Sequence, residues 1–366
     1  MFAGRMPVAS RVGVRLGLAY LHVTKGTPLR LAPLLAAAAL ALSLAACGSS
    51  DDDSNDASGA SGEGFPVSVK HTFGTTEIES EPQRVVAVAW SNQDTALALG
   101  VVPVAMPKVT YGDDDTDGLH PWVKDKIDEL GGETPTLFDE TDGIDAAAVA
   151  KAEPDLILAV HSGLTKEEYE TLSKIAPTVA YPDKAWGTPW RDAIELTGQA
   201  LGKTDEADQL IGDLEKQIDD AVAKRPEIQG KSAVMSWIDP SDLSKIGYYT
   251  AFDTRATFLN DLGLETPEFV EKASADTDQF FLEISAEKAD ELAGADIFVG
   301  YGDDAALKKV QADPLLGKVP AFERGSAALL EDNTPLAAAV SPSALSIPWM
   351  LDDYVTLLAD AAAKVK

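Results

Sequence analysis

Short apolar segments alternate with helical patterns in the first half of the globular region, and this alternation restricts the fold more than any other feature. VVAVAW at 85–90 precedes a helical pattern and a second apolar run, Val101 to Ala105. The same order recurs around LILAV at 156–160 and Thr178 to Tyr181. Because strand, helix and strand in succession are typical of parallel pairing, this half is predicted to form an α/β layer.

A single long helical stretch, residues 204–225, follows that half. Its apolar residues recur at close to i, i+3, i+4 and i+7 spacing, and Pro226 stops the pattern. A second α/β half begins with SAVMSW at 232–237 and ends in a closing helical region. We therefore predict a first lobe at 65–203, a bridging helix at 204–225 and a second lobe at 226–366, each with a central, mainly parallel sheet.

The first 46 residues are predicted to be a targeting segment. Leu31 to Ala46 is apolar and follows a basic stretch, but it is shorter than the ~20 residues of a membrane-spanning helix. Cys47, the only cysteine, lies in a Leu-Ala-Ala-Cys context that resembles the lipobox of bacterial lipoproteins. The resemblance implies a lipid on Cys47 that holds the protein on the outer face of the cytoplasmic membrane. Residues 47–64 have the composition of a disordered tether.

The charge of the chain limits its partners. It has 30 basic and 60 acidic residues and a formal net charge of −30. This charge argues against nucleic acid as a binding partner, because a protein that binds nucleic acid needs a basic face for the phosphates. Few arginines follow the targeting segment, so each is a candidate for anion recognition: Arg84, Arg191, Arg225, Arg255 and Arg324.

Motifs of catalysis and of cofactor binding are missing from the sequence. No dinucleotide, P-loop, serine-hydrolase or zinc-protease motif occurs, and a lone cysteine cannot form a pair. The histidines of the mature chain, His71, His120 and His161, are widely spaced, whereas a metal site usually draws on several His or Cys ligands. We therefore expect no enzyme activity, no cofactor and no resident metal. A surface-tethered metallohydrolase using His120, His161 and acidic loops is the remote alternative.

Several segments, in order along the chain, resemble the landmarks of ABC-transporter substrate-binding proteins for iron–siderophore complexes. The resemblance extends from about Phe65 to the C-terminus. The matching segments are His71–Thr76, Pro82–Val86, Leu97–Val101, Glu153–Leu158, Asn260–Leu264 and Pro314–Arg324.

This resemblance implies two α/β lobes joined by one rigid helix, with a ligand cleft between them. A ferric siderophore brings its iron already chelated, so no protein ligand to the metal is required. We expect a monomer that delivers this cargo to an ABC permease. In this family, one acidic residue on each lobe contacts the permease. The position on the second lobe matches Glu287. The position on the first lobe matches Ala147, which carries no charge, so the nearby Asp145 is the candidate there. Haem or a corrinoid is the alternative cargo, with His161 or Tyr111 as axial ligand.

Ligand-binding residues are expected in loops after strands, because ligands of open α/β sheets lie beyond the carboxyl ends of the strands. Arginines are included among the candidate ligand-binding residues because guanidinium groups bind anionic catecholates through charge-assisted hydrogen bonds. The small number of arginines is equally consistent with a less charged hydroxamate ligand. The predicted site consists of Trp90, Ser91, Tyr111, Trp122, His161, Trp186, Trp190, Arg191, Trp237, Tyr248, Tyr249, Arg255, Tyr301 and Arg324.

Overall fold

The computed structural model describes residues 64–366 of the chain. The predicted targeting segment, Cys47 and all of the tether except Gly64 therefore lie outside the described residues. Within the described part, no helix has both the length and the apolar character needed to cross a membrane.

The first lobe combines a parallel sheet with an antiparallel hairpin. Its strands are β1 (Val67–His71), β2 (Gly74–Ile78), β3 (Val85–Ala87), β4 (Ala105–Pro107), β5 (Thr136–Phe138), β6 (Leu156–Ala159) and β7 (Thr178–Ala180). Its helices are α1 (Asn92–Ala98), α2 (Pro121–Leu130), α3 (Ala146–Lys151), α4 (Lys166–Leu172) and α5 (Trp190–Leu201). The sheet has the order β5-β4-β3-β6-β7, and β1 pairs only with β2.

The central strands β3 and β6 are buried along their whole length. Helices cover both faces of a parallel sheet, so its strands appear in the sequence as continuous apolar runs. The strand predicted at Val101 to Ala105 is wrong except for its last residue, because β4 begins at Ala105, opposite Val86. The Val101 N–H instead donates to the carbonyl of Ala96 at the end of α1, and Pro103 has no N–H to offer.

The second lobe contains a mixed sheet. Its strands are β8 (Ala233–Trp237), β9 (Lys245–Tyr249), β10 (Phe281–Ser285), β11 (Ile297–Tyr301) and β12 (Ala327–Leu330). Its helices are α7 (Thr254–Asp261), α8 (Glu268–Ser274), α9 (Asp304–Ala312), α10 (Pro320–Arg324), α11 (Pro335–Ala339) and α12 (Ser346–Ala362). The order is β10-β9-β8-β11-β12, with β8, β11 and β12 parallel and β9 antiparallel to both of its neighbours.

Helix α6 (Thr204–Val222) connects the two lobes. It packs against α5 of the first lobe and against α12 of the second. Its buried positions, Ala207, Leu214, Ile218 and Ala221, lie on one face, which explains the apolar period seen in the sequence. A continuous helix with packing at both ends limits how far the lobes can move relative to each other.

Several side-chain contacts join the two lobes, and two of them involve segments that carry predicted ligand-binding residues. In the first, Tyr111 donates its hydroxyl proton to a carboxylate oxygen of Asp332, at 2.9 Å. In the second, the Lys184 ammonium binds Asp278 at 2.8 Å and lies over the Phe252 ring. We call the strip the eight predicted residues on the facing segments of the two lobes: Trp90, Tyr111, His161, Trp186, Trp237, Tyr249, Arg255 and Tyr301.

Candidate functional site

Trp90 lies in a strained turn at the end of β3. Its neighbours Ala89 and Ser91 have φ values of 61° and 59°, in the left-handed region that residues other than glycine rarely adopt. The Glu140 carboxylate stabilises the turn by accepting the Ala89 N–H at 2.9 Å. The indole of Trp90 is half-buried and meets the edge of the His120 ring, with centroids 5.4 Å apart. Strain retained at such a turn is typical of a ligand-binding position.

Asn92, at the start of α1, ties the Trp90 turn to the loop after β6. Its side-chain amide donates to the carbonyl of His161 at 2.9 Å, and its amide oxygen accepts the His161 N–H at 2.9 Å. The backbone of His161 is therefore fixed. Burial lowers the pKa of the His161 imidazole to about 4, so the ring is neutral at physiological pH. The charges of Asp253 and Arg255 in the second lobe act on the pKa of this ring in opposite directions, so His161 is within electrostatic range of both.

Trp186 is the second half-buried indole of the first lobe, and it also has a positive φ, 62°. Its N–H edge lies directly over Gly163, where a Cβ atom would come within 2.1 Å of Nε1. Glycine is thus required at 163 for the indole to adopt this position. The Trp186 ring meets His161 edge to face, with centroids 5.7 Å apart.

The loop that carries Tyr111 touches the second lobe closely. The Gly112 N–H donates to the side-chain oxygen of Asn333 at 2.9 Å, and a Cβ atom on Gly112 would lie 2.5 Å from that of Ala338. His120 holds the loop from behind, with a ring nitrogen 3.1 Å from the Tyr111 carbonyl oxygen. The phenol of Tyr111 is thereby positioned at the boundary between the lobes.

The second lobe contributes a guanidinium over an aromatic ring. Arg255, in the first turn of α7, has its Cζ atom 3.8 Å from the centroid of the Tyr249 ring. The Asp253 carboxylate accepts from Nε at 2.9 Å and from Nη2 at 2.7 Å, a bidentate arrangement. Tyr301, at the end of β11, also lies within the field of Arg255.

The tyrosines of this wall are neutral. Burial raises the pKa of Tyr249 to about 12, and burial also raises the pKa of Tyr301. Both phenols therefore keep their protons over the physiological range. Trp237 ends β8 beside Tyr301 in the parallel register, so the two rings belong to the same end of the sheet. The wall offers hydrogen-bond donors and aromatic surface with little net charge.

The structure does not bring every predicted residue to this strip. Trp122 and Trp190 are buried in the core, and their indole N–H groups donate to Asp94 and Asp261, each at 2.9 Å. Tyr248 packs against Phe269 on the face of the sheet opposite to Tyr249. This follows from strand geometry, because successive side chains point to opposite faces.

Two of the predicted arginines bind the protein itself, away from the strip. Arg191 donates to Glu215 on α6 at 2.7 Å and to Asp261 at the end of α7 at 2.9 Å. Arg324 donates to the carbonyl of Asp296, next to the amino end of β11 and so at the edge of the sheet opposite to Tyr301. Of the three predicted arginines, the structure places only Arg255 in the strip.

Sequence reasoning missed Asp253, Glu140 and Asn92, which hold the predicted residues in place. Asp253 had a readable signal, since an Asp two residues before Arg255 at a helix start is a typical N-cap. Glu140 and Asn92 had none, because their partners lie far along the chain.

The predicted docking acids are both exposed. Glu287 follows β10 and forms no ion pair with any described residue. Asp145 caps α3, with one carboxylate oxygen accepting the N–H groups of Ala147 and Ala148 at 3.0 Å. Only the other oxygen of Asp145 is left for an external partner.

The histidines do not converge on a metal site. His71 contacts Thr76, His120 contacts the Tyr111 carbonyl, and His161 is held through its backbone by Asn92. The one acidic group of metal-binding spacing found in residues 64–366 is Asp113, Asp115 and Asp117. The ammonium of Lys124 already binds two of its members.

Two lobes that each contribute one wall to an aromatic strip, joined by a continuous helix, define a two-lobed binding protein. The family model of the periplasmic binding proteins matches residues 85–334, and the chain belongs to that family.

Individual relatives agree with this assignment. The structure of Streptococcus pneumoniae PiaA in complex with ferrichrome is 44% identical, has a TM-score of 0.79, and covers 82% of this chain and 100% of its own. The probable siderophore-binding lipoprotein YfiY of Bacillus subtilis is 30% identical over 240 residues, which is 65% of this chain and 68% of the relative. The ferric enterobactin-binding periplasmic protein FepB of Escherichia coli is 26% identical over 275 residues, 71% of this chain and 82% of the relative.

Proposed function

We propose that the chain is the substrate-binding component of an ABC importer and captures a ferric hydroxamate siderophore between its lobes. The observation that carries the proposal is the convergence of Trp90 and Trp186 from one lobe with Arg255, Tyr249 and Tyr301 from the other. PiaA, which shares 44% of its sequence with this chain, was solved with ferrichrome. Membership of a family of binding proteins supports a role in capture.

The chemistry of the strip suits a chelate of this kind. Half-buried indoles provide flat apolar surface for the hydrocarbon parts of the ligand. The N–H groups of Arg255 that Asp253 does not accept lie beside the hydroxyls of Tyr249 and Tyr301, and these groups together would donate to the oxygen atoms that surround the iron. Haem and a corrinoid fit less well, because the Tyr111 hydroxyl is bonded to Asp332 and His161 is buried, so neither is presented as an axial ligand.

Tryptophan fluorescence tests this function. Titration with ferrichrome is expected to quench the emission in a saturable manner, because the ferric chelate would lie against Trp90 and Trp186. Trp186→Ala should weaken binding by about 30-fold, the effect of losing an aromatic anchor worth about 2 kcal/mol. Trp349→Ala is the control of the same size, since Trp349 is 40% exposed on α12 and its ring contacts Trp122 rather than Trp90 or Trp186. Absence of quenching and of any thermal shift with hydroxamate, catecholate and mixed siderophores would refute the proposal.

Delivery is proposed to use Glu287 on the second lobe and Asp145 on the first as contacts to the permease. Their exposure supports this role. The double variant Glu287→Gln, Asp145→Asn should lower siderophore uptake by cells more than either single variant does. The affinity of the purified protein for ferrichrome should be unchanged in all three variants. Because one exposed charge pair contributes only ~0–1 kcal/mol, each single substitution is expected to reduce uptake modestly. Uptake equal to wild type in the double variant would argue against this pair.

Anchoring is proposed to occur through a lipid on Cys47, with the binding domain held as a monomer on the outer face of the cytoplasmic membrane. Several relatives are themselves named lipoproteins. Intact mass of the protein extracted from membranes should exceed the mass of the chain from Cys47 by that of the acyl groups. Cys47→Ser should release the protein into the medium or the soluble envelope fraction.

A further inference from the structure

Arg255 and Asp253 form an ion pair in the proposed cleft, with a buried carboxylate and a half-buried guanidinium. The Asp253 side chain is 2% exposed and that of Arg255 is 20% exposed. Besides the bidentate contact, Asp253 also accepts the backbone N–H of Arg255 at 3.0 Å. The guanidinium is thus fixed in position over Tyr249, and its positive charge is balanced by a carboxylate in direct contact.

No second cation compensates for this pairing in the described part of the strip. His161 is neutral, and Tyr249 and Tyr301 keep their protons. The Lys184 ammonium, at one end of the strip, is bound to Asp278. At the other end the Tyr111 hydroxyl binds the carboxylate of Asp332, which adds negative rather than positive charge. The strip therefore has donors for oxygen atoms but no excess positive charge.

This charge balance discriminates between classes of ferric siderophore. Each hydroxamate carries one negative charge, so three of them neutralise the ferric ion. Each catecholate carries two, so a ferric tris-catecholate is a trianion. Burying an unbalanced charge in a site that has no opposite charge costs free energy, whereas a neutral chelate escapes this cost.

We propose that Asp253 is a specificity-determining residue, which orients Arg255 and cancels its charge so that the cleft selects neutral ferric chelates over anionic ones. This inference rests on the proposed function, since it concerns the choice of ligand at the same site.

The test compares Asp253→Asn with wild type for two probes, ferrichrome as the neutral chelate and ferric enterobactin as the anionic one. Asparagine keeps the shape of the side chain but leaves the charge of Arg255 unbalanced. The ratio of the two dissociation constants should shift toward ferric enterobactin by at least about tenfold, equivalent to 1.4 kcal/mol. The shift should shrink at high salt, because screening weakens charge attraction. A purely structural role would weaken both probes and leave the salt dependence unchanged.

The chain offers a matched control in Asp261→Asn. Asp261 also accepts from an arginine, Arg191, but away from the strip, so its substitution should leave the ratio unchanged. Asp253→Glu keeps the charge and should retain the preference of wild type. An unchanged ratio in Asp253→Asn would overturn the inference.

The affinities of the wild-type protein for the two probes test the inference without any variant. It should bind ferrichrome at least about tenfold more tightly than ferric enterobactin, and equal affinities would overturn the inference even if Asp253→Asn failed to fold. Wild type that binds neither probe, nor any other ferric siderophore, would instead refute the proposed function.

Discussion

Asp94 is predicted to make the stability of the protein depend on pH. It lies in α1 and is 1% exposed. One carboxylate oxygen accepts from the Trp122 indole at 2.9 Å and from the Ser343 hydroxyl, which belongs to the segment before α12. The other oxygen is buried without a partner among the described residues. Burial raises the pKa of Asp94 from 3.8 to about 6, against the opposing effect of those hydrogen bonds.

The sign follows from the direction of the shift. The folded protein holds the Asp94 proton more tightly than the unfolded chain, so the free energy of unfolding is higher at low pH and falls as the pH rises through 6. The full difference between the two pKa values corresponds to about 3 kcal/mol. Between pH 5 and pH 8 the change from this one group is about 1.4 kcal/mol, because at pH 5 most of the folded molecules are protonated.

Urea unfolding of wild type and Asp94→Asn at pH 5 and pH 8 measures this contribution. Wild type should lose about 1.4 kcal/mol more than the variant on going to pH 8, since asparagine does not titrate. Ser343→Ala removes a hydrogen bond that lowers the pKa of Asp94, so it should steepen the dependence. Equal pH dependence in wild type and Asp94→Asn would refute the reasoning, whatever their absolute stabilities.

Two further predictions concern the walls of the strip. Gly163→Ala should weaken ferrichrome binding by about tenfold, because its Cβ would displace the Trp186 indole. The control Gly212→Ala, on the exposed face of α6, should stabilise the fold by about 1 kcal/mol and leave binding unchanged. Equal affinities in both variants would contradict this prediction. Burial raises the pKa of Glu140 to about 7, and the ionised carboxylate is the stronger acceptor for the Ala89 N–H. Ferrichrome affinity should therefore fall below pH 7 in wild type but not in Glu140→Gln. Parallel pH profiles of affinity in the two proteins would count against the prediction.

Much of the fold was predictable because the buried strands are short and wholly apolar. The fold class, with two α/β lobes and one connecting helix, is confirmed by the similarity to PiaA. The hairpin of β1 and β2, the strand β9 and the antiparallel edge of the second sheet were not identified. Alternating polarity, as in VSVKH of β1, is itself typical of a half-buried strand, but the strands were predicted from continuous apolar runs and this signal was not used. Which strands become neighbours is decided by packing between segments far apart in sequence.

The rule that ligands lie beyond the carboxyl ends of strands assumes that the strands are parallel, and it succeeded for the strands that are. Trp90, His161 and Trp186 follow parallel strands of the first sheet, and the structure brings them into one strip. Strand β9 runs antiparallel, so the rule does not apply to Tyr249, which reaches the strip through the face of its sheet. Its neighbour Tyr248 points to the other face. A sequence that does not reveal strand direction cannot separate these two tyrosines.

The arginines show why composition alone could not select the ligand. Their scarcity was read as a property of the cleft, yet a guanidinium is available to an anionic ligand only if no carboxylate has already balanced its charge. For Arg191 the balancing acids are 24 and 70 residues away, so the pairing exists only in the folded chain. For Arg255 the acid is two residues away and caps the same helix. Such a local pair can be read from sequence, and it favours a neutral chelate even though an arginine is present.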